Sequence, residues 1–168
     1  MPHLVAPDSS LQAAWLAAHA EWGPGSHEDG FGLEPSDDVE SASGFAAWAA
    51  RLLADNGPAG CTYRWIVDDG GAVLGGIALR HAEHPMARWA GHLGFGVRPT
   101  ARRRGLANWA LGQMLERAWT MGMDRVLLVC AADNVASART IERGGGRLEG
   151  IVDTELGPAR RYWIAIGS

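Results

Sequence analysis

A cationic run opens an amphipathic segment in the middle of the chain. Arg102, Arg103 and Arg104 directly precede Gly105, and apolar residues then recur at helical spacing. Positive side chains at a helix start oppose the helix dipole, so a bound anion would offset an unfavourable placement. The first turn of a helix presents unpaired backbone N–H groups, and a glycine there lets a phosphate approach them closely. We therefore predict a phosphate-binding helix start, to which arginine adds charge-assisted hydrogen bonds.

Two common phosphate motifs are excluded by the neighbouring residues. A Walker loop needs Gly-Lys-Ser/Thr, and all 15 Lys-or-Arg residues of this chain are arginine. The dinucleotide fingerprint needs three spaced glycines before a helix, whereas Gly94-Phe95-Gly96 is followed by Val-Arg-Pro. What remains is the pattern Arg102-x-x-Gly105-x-Ala107 behind an apolar strand.

Other interpretations of the arginine cluster stay open at this point. Arginine clusters are usually solvated surface, and a nucleic-acid-binding surface would use Arg98 together with Arg102, Arg103 and Arg104. The formal net charge of −4 and the sequence pI of about 5.8 argue against a general nucleic-acid binder, which carries a basic face and a high pI. We therefore expect no nucleic-acid partner.

The strand before the cluster has an unusual face. Strand alternation puts His92, Gly94 and Gly96 on one side and Leu93, Phe95 and Val97 on the other. Two glycines beside a histidine leave an open trough, which a ligand or a neighbouring backbone would fill. A histidine in such a place is either a functional group or a packed structural residue.

The elements that position these residues follow from periodicity and turn residues. Helical spacing with capping residues alternates with strand-like runs, and no internal repeat interrupts the order. That order describes an α/β (α+β) mixed sheet with a parallel crossover at its centre. The predicted helices are 11–22, about 39–55, 103–121 and 134–143, and the predicted strands are 3–6, 62–67, 72–80, 90–97, 125–130, 148–153 and 161–166.

Length and composition bound the class of protein. The 168 residues suit a single domain, 1–168, with an ordinary core, and 47% of them are hydrophobic. Cys61 and Cys130 form neither a disulfide framework nor a metal-ligand spacing, so we expect no metal. The first residues lack a signal-peptide pattern, and no apolar run approaches the roughly 20 residues of a membrane span. We expect a cytoplasmic protein with no membrane partner.

The motif and its surroundings resemble one known superfamily. Arg102-x-x-Gly105-x-Ala107, the preceding Phe95-Gly96-Val97 and the later Asn134 resemble the acetyl-CoA loop of the GNAT acetyltransferases, whose pattern is Gln/Arg-x-x-Gly-x-Gly/Ala. The resemblance is best from about residue 65 to about residue 150. The segments IVDDGGAVLGGIALRH, GGRLEG and RRYWI are similar to a bacterial group of predicted acetyltransferases without an assigned substrate.

The resemblance implies a fold, a reaction and a cofactor site. It implies a GNAT fold, with a mixed central sheet of about six to seven strands, helices on both faces, and a cofactor-binding core at about 62–150. The implied function is direct acetyl transfer from acetyl-CoA to an amine, expected to be that of a small molecule. The alternative is a CoA-binding regulatory module with little turnover, and a homodimer is possible. The implied cofactor-binding residues are Phe95, Gly96, Val97, Arg102, Arg103, Arg104, Gly105, Leu106, Ala107, Asn108, Asn134 and Ser137.

The reaction that the resemblance implies also requires a general base. An amine with a pKa of about 10 is protonated at neutral pH and must lose a proton before it attacks. His92 on the central strand is the first candidate, because histidine titrates near neutral pH. His81 and Glu83 at the end of the preceding strand are rivals, and an ordered water is a further alternative.

The acid for the leaving thiolate is a departure from the family pattern. The tyrosine that many GNAT enzymes carry falls on Ile141, which cannot donate a proton. Tyr162, Ser137 and Cys130 are the possible substitutes. The loop after the first helix is expected to help form the acceptor pocket. Its candidate residues are Ser26, His27, Glu28 and Asp29, and the candidate pocket walls are Trp65, Trp89 and Trp163.

Overall fold

A seven-stranded mixed sheet forms the centre of the molecule. The computed structural model describes residues 1–25 and 27–167, and its strand order is β1-β2-β3-β4-β5-β7-β6. The strands are β1 (His3–Val5), β2 (Cys61–Val67), β3 (Val73–Arg80), β4 (Leu93–Val97), β5 (Arg125–Ala131), β6 (Arg147–Thr154) and β7 (Gly157–Ala165). The helices are α1 (Gln12–Trp22), α2 (Ala42–Ala54), α3 (Ala87–Ala90), α4 (Leu106–Thr120) and α5 (Val135–Arg143).

The one parallel pairing lies where the sequence predicts it. β4 and β5 run parallel and are joined by α4, while every other neighbouring pair is antiparallel. The mixed α/β sheet with a central crossover is therefore confirmed. A parallel pair needs such a crossover connection, and the amphipathic stripe on α4 supplies the helix that covers it.

Two separate cores cover the two faces of the sheet. On one face, α4 and α5 bury Leu111, Met114 and Ile141 against apolar residues of the central strands. On the other face, α1 and α2 form an aromatic cluster with β2, in which Trp48 lies 4.9 Å from Trp15 and 5.7 Å from Trp65 between ring centroids. We call these the α4 face and the α1 face. β6 at the sheet edge stays exposed along nearly its whole length.

Several predicted boundaries move for identifiable reasons. The helix predicted from residue 103 begins at Leu106, because Arg103 (φ 64°) and Gly105 (φ 75°) hold the left-handed conformation. The strand predicted from residue 90 begins at Leu93, since α3 precedes it and Gly91 (φ 84°) turns the chain. α2 begins only at Ala42, after the N-cap Ser41. β7 starts at Gly157, earlier than predicted.

Candidate functional site

β4 and β5 form a V that is closed at one end. Leu93 and Leu128 are the one register pair between the two strands. At the closed end, the backbone N–H of His92 donates to the Leu127 carbonyl (2.6 Å), and the Leu127 N–H donates to His92 Nδ1 (2.9 Å). Beyond this clamp the strands separate, so the edge of β4 from Phe95 onward faces a gap.

A cleft of about 820 Å³ lies at the open end of the V. The structure places there all of the cofactor-binding residues predicted from the sequence except Arg104, whose guanidinium donates to the Thr100 carbonyl (3.2 Å). The lining residues are Trp22, Glu28, Phe95, Gly96, Val97, Ala101, Arg102, Arg103, Gly105, Leu106, Ala107, Asn108, Asn134, Val135, Ala136, Ser137, Arg139, Thr140 and Arg143.

The loop before α4 has the geometry of an anion site. Among the described residues, the amides from Arg103 to Asn108 donate no hydrogen bond, and the first one into the helix runs from Trp109 to Gly105 (3.0 Å). The left-handed residues Arg103 and Gly105 turn successive N–H groups toward one concave surface, which is the arrangement that binds phosphates. A Cβ built on Gly105 meets nothing within 4 Å, so the approach to these amides is open.

Arg102 fixes the wall of the cleft beside this loop. Its guanidinium lies 5.0 Å from the centroid of Trp22, and its Nε donates to the Val97 carbonyl (3.0 Å). Trp22, Arg139 and Arg143 also line the cleft and were not predicted as site residues. The i, i+4 spacing of the two arginines on α5 was the available signal, since it puts them on one side of that helix.

The start of α5 forms the opposite wall. Asn134 is its N-cap, and its Oδ1 accepts from the Ser137 N–H (3.1 Å). Ile141, at the position of the family tyrosine, is 1% exposed and packs in the core of the α4 face. The side chain at that position therefore lies outside the cleft. Among the described residues of the lining, Ser137 and Thr140 carry the hydroxyl groups.

The glycine trough on β4 is filled by the loop between α1 and α2. A Cβ built on Gly96 would lie 2.6 Å from Glu28 Cβ, and one built on Gly94 would lie 3.1 Å from the ring of Phe31. Gly76 on β3 continues the trough under the same loop. The expectation that a neighbouring backbone or ligand would fill this trough is met by the chain itself, which brings Glu28 to the cleft. Glu28 is the one acidic side chain among the described residues that line it.

A buried aspartate holds this loop in place. Asp29 is 4% exposed, its carboxylate lies 2.7 Å from His19 Nδ1 on α1, and its carbonyl accepts from the Trp15 indole (3.3 Å). Glu28 is the preceding residue, so its position depends on this anchor. Of the four loop candidates, Glu28 lines the cleft, Asp29 anchors the loop, and His27 stacks on Trp22; Ser26 lies outside the described residues.

Glu21 ties the end of α1 to the loop that precedes α4. Its carboxylate accepts from the Thr100 hydroxyl (2.7 Å), the Thr100 N–H (3.1 Å) and Arg98 Nε (3.1 Å). These contacts, the Thr100 hydroxyl foremost, lower the pKa of Glu21 to about 2. The same contact takes Arg98 out of any free cationic surface.

The predicted catalytic residues do not meet in the cleft. His92 and Glu83 both line a second cavity of about 600 Å³, near the closed end of the V. Tyr162 is fully buried on the α4 face, and its hydroxyl donates to Glu142 (2.8 Å). Their catalytic roles stay predictions, and the geometry gives His92 and Tyr162 structural partners. His81 is likewise buried, between Thr62 and the Gly57 carbonyl.

The state of the His92 ring follows from its contacts. Because Nδ1 accepts from the Leu127 N–H, the neutral ring carries its proton on Nε2. Burial lowers the pKa of His92, and the charges of Arg80 and Arg125 lower it further. A ring in this state donates a hydrogen bond from Nε2 and has no free lone pair to receive a proton.

The remaining candidates are placed as follows. Trp65 packs inside the aromatic cluster, Trp89 is 73% exposed, and Trp163 lines the second cavity. Cys130 is half-buried, and burial raises the pKa of its thiol.

Within residues 1–25 and 27–167, no group of three or more His, Cys, Asp or Glu is arranged to hold a metal ion. In the same part of the chain, no helix combines the length and apolar character needed to cross a membrane.

Comparison with known proteins decides the family. A family model described as an acetyltransferase (GNAT) domain matches residues 10–147, which include the cleft and its loop. The chain belongs to the GNAT acetyltransferase family. The resemblance stated from the sequence is thereby confirmed. Among curated protein sequences, none matches this chain.

Solved structures of several acetyltransferases share the fold at low identity. The microcin self-immunity acetyltransferase MccE, in complex with acetyl-CoA and AMP, has a TM-score of 0.73 at 16% identity, over 98% of this chain and 92% of that chain. The ribosomal α-N-protein acetyltransferase RimL, in complex with coenzyme A, has 0.71 at 18%, over 98% and 94%. The spermidine/spermine N-acetyltransferase SpeG from Vibrio cholerae has 0.68 at 16%, over 98% and 95%. These structures confirm the predicted fold.

Proposed function

We propose that this GNAT protein transfers the acetyl group of acetyl-CoA directly to the amine of a small molecule in a ternary complex. The observation that carries the proposal is the shared cleft, in which a phosphate-binding loop and an open strand edge line one cavity. A phosphate-bearing thioester with a long amide-containing arm needs both features.

Different parts of the cleft would bind different parts of acetyl-CoA. The amides from Arg103 to Asn108 would hold the pyrophosphate, with Arg102 and Arg103 adding positive charge. The open edge of β4 from Phe95 to Val97 would hydrogen-bond the amide-containing arm, as an added strand does. When bound, acetyl-CoA supplies the activated acetyl thioester. The residues present fit this group, because the approach to Gly105 is open and the amides around it are free.

Glu28 is the group best placed to receive the amine. It sits on Gly96, beside the strand edge proposed for the arm, and a carboxylate attracts an alkylammonium ion. We propose that Glu28 positions the amine and accepts its proton, directly or through a water. His92 is the weaker candidate, since its Nδ1 is held by Leu127.

Ser137 is the proposed donor to the leaving thiolate. Its hydroxyl lies in the lining of the cleft at the start of α5, where the helix dipole favours a negative charge. Tyr162, the candidate from the last strand, donates instead to Glu142 and lies outside the cleft lining.

Two further points belong to the proposal. The buried Ile141 leaves the cleft without the family tyrosine, which favours the CoA-binding regulatory module as a second candidate function.

The β6–β7 hairpin exposes Leu148, Ile151 and Val152 at the sheet edge, which supports the proposal of a homodimer.

Glu28→Gln tests the function and the role of the carboxylate together. We expect a screen of small amines to release free CoA thiol, and we expect Glu28→Gln to lower kcat/KM for the amine about 100-fold or more, the usual loss when a general base is removed. Acetyl-CoA affinity, measured by calorimetry, should stay the same. Glu34→Gln in the same loop is the matched control.

Each contrary outcome has a separate meaning. Full activity of Glu28→Gln would contradict the role of Glu28. Tight acetyl-CoA binding without turnover of any amine would contradict the enzyme and support the regulatory module.

A further inference from the structure

The second cavity is a pocket with its own chemistry. It has a volume of about 600 Å³ and lies on the α1 face at the closed end of the V. Its walls come from the segment around α3, the first residues of β5, and the part of β7 beside them. The residues that line it are Ala82, Glu83, His84, Pro85, Ala87, Arg88, His92, Arg125, Leu127, Arg161 and Trp163.

Positive charge exceeds negative charge in this cavity. Arg161 is neutralised, because its Nε donates to Glu149 (2.5 Å) while a second nitrogen donates to the Arg88 carbonyl (2.7 Å). Arg88 and Arg125 have no carboxylate within ion-pair distance in the described part of the chain. Glu83 is the one acidic residue among the described residues that line this cavity. The excess is local, since the formal net charge of the chain is −4.

Arg125 is held in a fixed position. Its guanidinium lies 4.2 Å from the centroid of Trp163, and the Trp163 indole donates to Glu149 (3.0 Å). A stacked guanidinium keeps its in-plane N–H groups available for an anion and loses little conformational freedom on binding.

His92 adds a neutral donor to the same pocket. Leu127 occupies Nδ1, so the proton of the neutral ring is on Nε2, and no other described residue accepts from it. The Arg80 guanidinium donates to the carbonyl of Gly91, the residue before His92 (3.0 Å). The cavity therefore offers one N–H donor and two guanidinium groups that form no direct ion pair with any described residue.

The cavity and the proposed amine position lie on the same face of β4. His92 and Gly96 are four residues apart in sequence, and at about 3.3 Å per residue this is about 13 Å along the strand. Glu28 sits on Gly96. The ring of Phe31 covers Gly94 between the two positions, so the connecting part of a ligand would lie over the half-buried Val129 of β5 instead. Val129 faces the same side, because its neighbour Leu128 packs into the core of the α4 face.

We propose that the second cavity binds an anionic group of the acyl acceptor, a carboxylate or a phosphate, while Glu28 holds the amine at the other end. This inference rests on the proposed acetyltransferase function and names its substrate class. The acceptor is an amine with an anionic group about 13 Å away. Polyamines are disfavoured, because a second ammonium group would meet Arg88 and Arg125.

Matched acceptors test this directly. The probes are straight-chain ω-aminoalkanoates of graded length, the α,ω-diamines of the same lengths, and ω-aminoalkyl phosphonates, which distinguish phosphate from carboxylate recognition. We expect kcat/KM of the wild type to be at least about tenfold higher for the anionic probes, as one charge-assisted hydrogen bond provides. The optimum length should span about 13 Å.

Variants of Arg125 separate charge from packing. Arg125→Glu should lower kcat/KM for the anionic probes about tenfold to hundredfold through KM, and should not lower it for the diamines. Arg125→Met, which keeps a long side chain against Trp163, should show a smaller loss of the same kind. Arg117→Glu on α4, remote from both cavities, is the control and should leave the ratio unchanged.

The outcomes distinguish this inference from the function on which it rests. Turnover of amines with no preference for anionic probes, or a preference that Arg125→Glu leaves intact, would overturn the anion site alone. If no amine is turned over, the proposed function fails, and calorimetric titration with the ω-aminoalkanoate then decides the site. Binding that Arg125→Glu removes would support the site, and absence of binding would overturn it.

Discussion

Single residues set the chemistry of the cleft through backbone conformation as much as through charge. Arg103 holds a left-handed conformation, which costs a non-glycine residue roughly 1–2 kcal/mol. That conformation, with Gly105 two positions later, turns the free amides toward one point. Two of the arginines also have different partners, since Arg102 packs on Trp22 and Arg104 contacts Thr100. We propose that a bound anion, rather than solvent alone, reconciles this cationic helix start with the helix dipole.

His92 belongs to the same scale, and a pair of substitutions separates its two possible roles. Asparagine can place a side-chain oxygen near the position of Nδ1 and accept from the Leu127 N–H. We expect His92→Asn to keep the rate with a small amine that carries no anionic group within about threefold, because no proton is transferred at this position. His92→Ala should lower the free energy of unfolding by about 1–3 kcal/mol, since it leaves a backbone donor without a partner.

Urea unfolding and steady-state kinetics measure both effects. A loss of rate of about 100-fold or more in His92→Asn, with stability unchanged, would restore histidine as the general base.

At this scale the sequence predicted what short-range chemistry determines. The cleft-lining residues of the motif follow from local residue types and spacing. The left-handed conformation of Arg103 was not predicted, and the helix that the sequence starts at residue 103 begins at Leu106. Glu28 was predicted only as one of four residues of the acceptor loop, and Arg125 was not predicted, because their importance comes from which surfaces the tertiary fold brings beside them. The strand histidine illustrates the difference, since its Nδ1 partner lies 35 positions away in sequence.

Elements position the site by contact between a loop and a strand. The loop after α1 lies on the glycine trough of β3 and β4, and this contact needs the absence of Cβ atoms beneath it. Sequence alternation predicted the trough, while the identity of the segment that fills it required the fold. Asp29 and its contact with His19 hold the loop from the other side.

Two alanine substitutions test this packing within one trough. Gly96→Ala places a Cβ 2.6 Å from Glu28 Cβ, whereas Gly76→Ala meets no atom closer than 3.6 Å. We expect Gly96→Ala to destabilise the fold by about 1–3 kcal/mol and to displace Glu28, lowering amine kcat/KM by up to about 100-fold.

Gly76→Ala is the matched control. We expect it to be neutral or to stabilise the protein by up to about 1 kcal/mol, because it loses only the flexibility of glycine. Thermal unfolding and amine kinetics compare the two variants. Equal behaviour of both would contradict the packing of the loop on the trough.

The contact between α1 and the loop before α4 predicts a dependence on pH. The pKa of Glu21 falls from 4.5 to about 2 in the folded protein, chiefly through the Thr100 hydroxyl. A carboxyl group whose pKa is lowered on folding contributes stability above its ordinary pKa and loses it as pH falls through the folded value. The wild type should therefore lose stability between about pH 5 and pH 2 more steeply than Glu21→Gln.

Urea unfolding across this pH range measures the difference. Thr100→Val should flatten the curve in the same direction, since it removes the leading contact. Parallel curves for the wild type and Glu21→Gln would contradict the contact.

The whole molecule joins these parts through the separation of two neighbouring strands of the central sheet. β4 and β5 are clamped at one end and separate at the other, so a single architecture provides both a buried core and a cleft. The periodicity of the sequence predicted a mixed sheet with a parallel crossover at its centre. It did not predict the separation of the strands, because that depends on pairing between residues distant in sequence.

The most direct test of the account is calorimetric titration of the purified protein with acetyl-CoA. Gly105→Glu adds negative charge and bulk where the phosphates are expected, while Gly112→Glu on α4 places the same residue where a Cβ meets nothing within 4 Å. Gly105→Ala reproduces the strain of the left-handed position without the charge. We predict micromolar binding to the wild type and to Gly112→Glu, weaker binding to Gly105→Ala, and none to Gly105→Glu. Failure of the wild type to bind, or undiminished binding to Gly105→Glu, would contradict the assignment of the cleft.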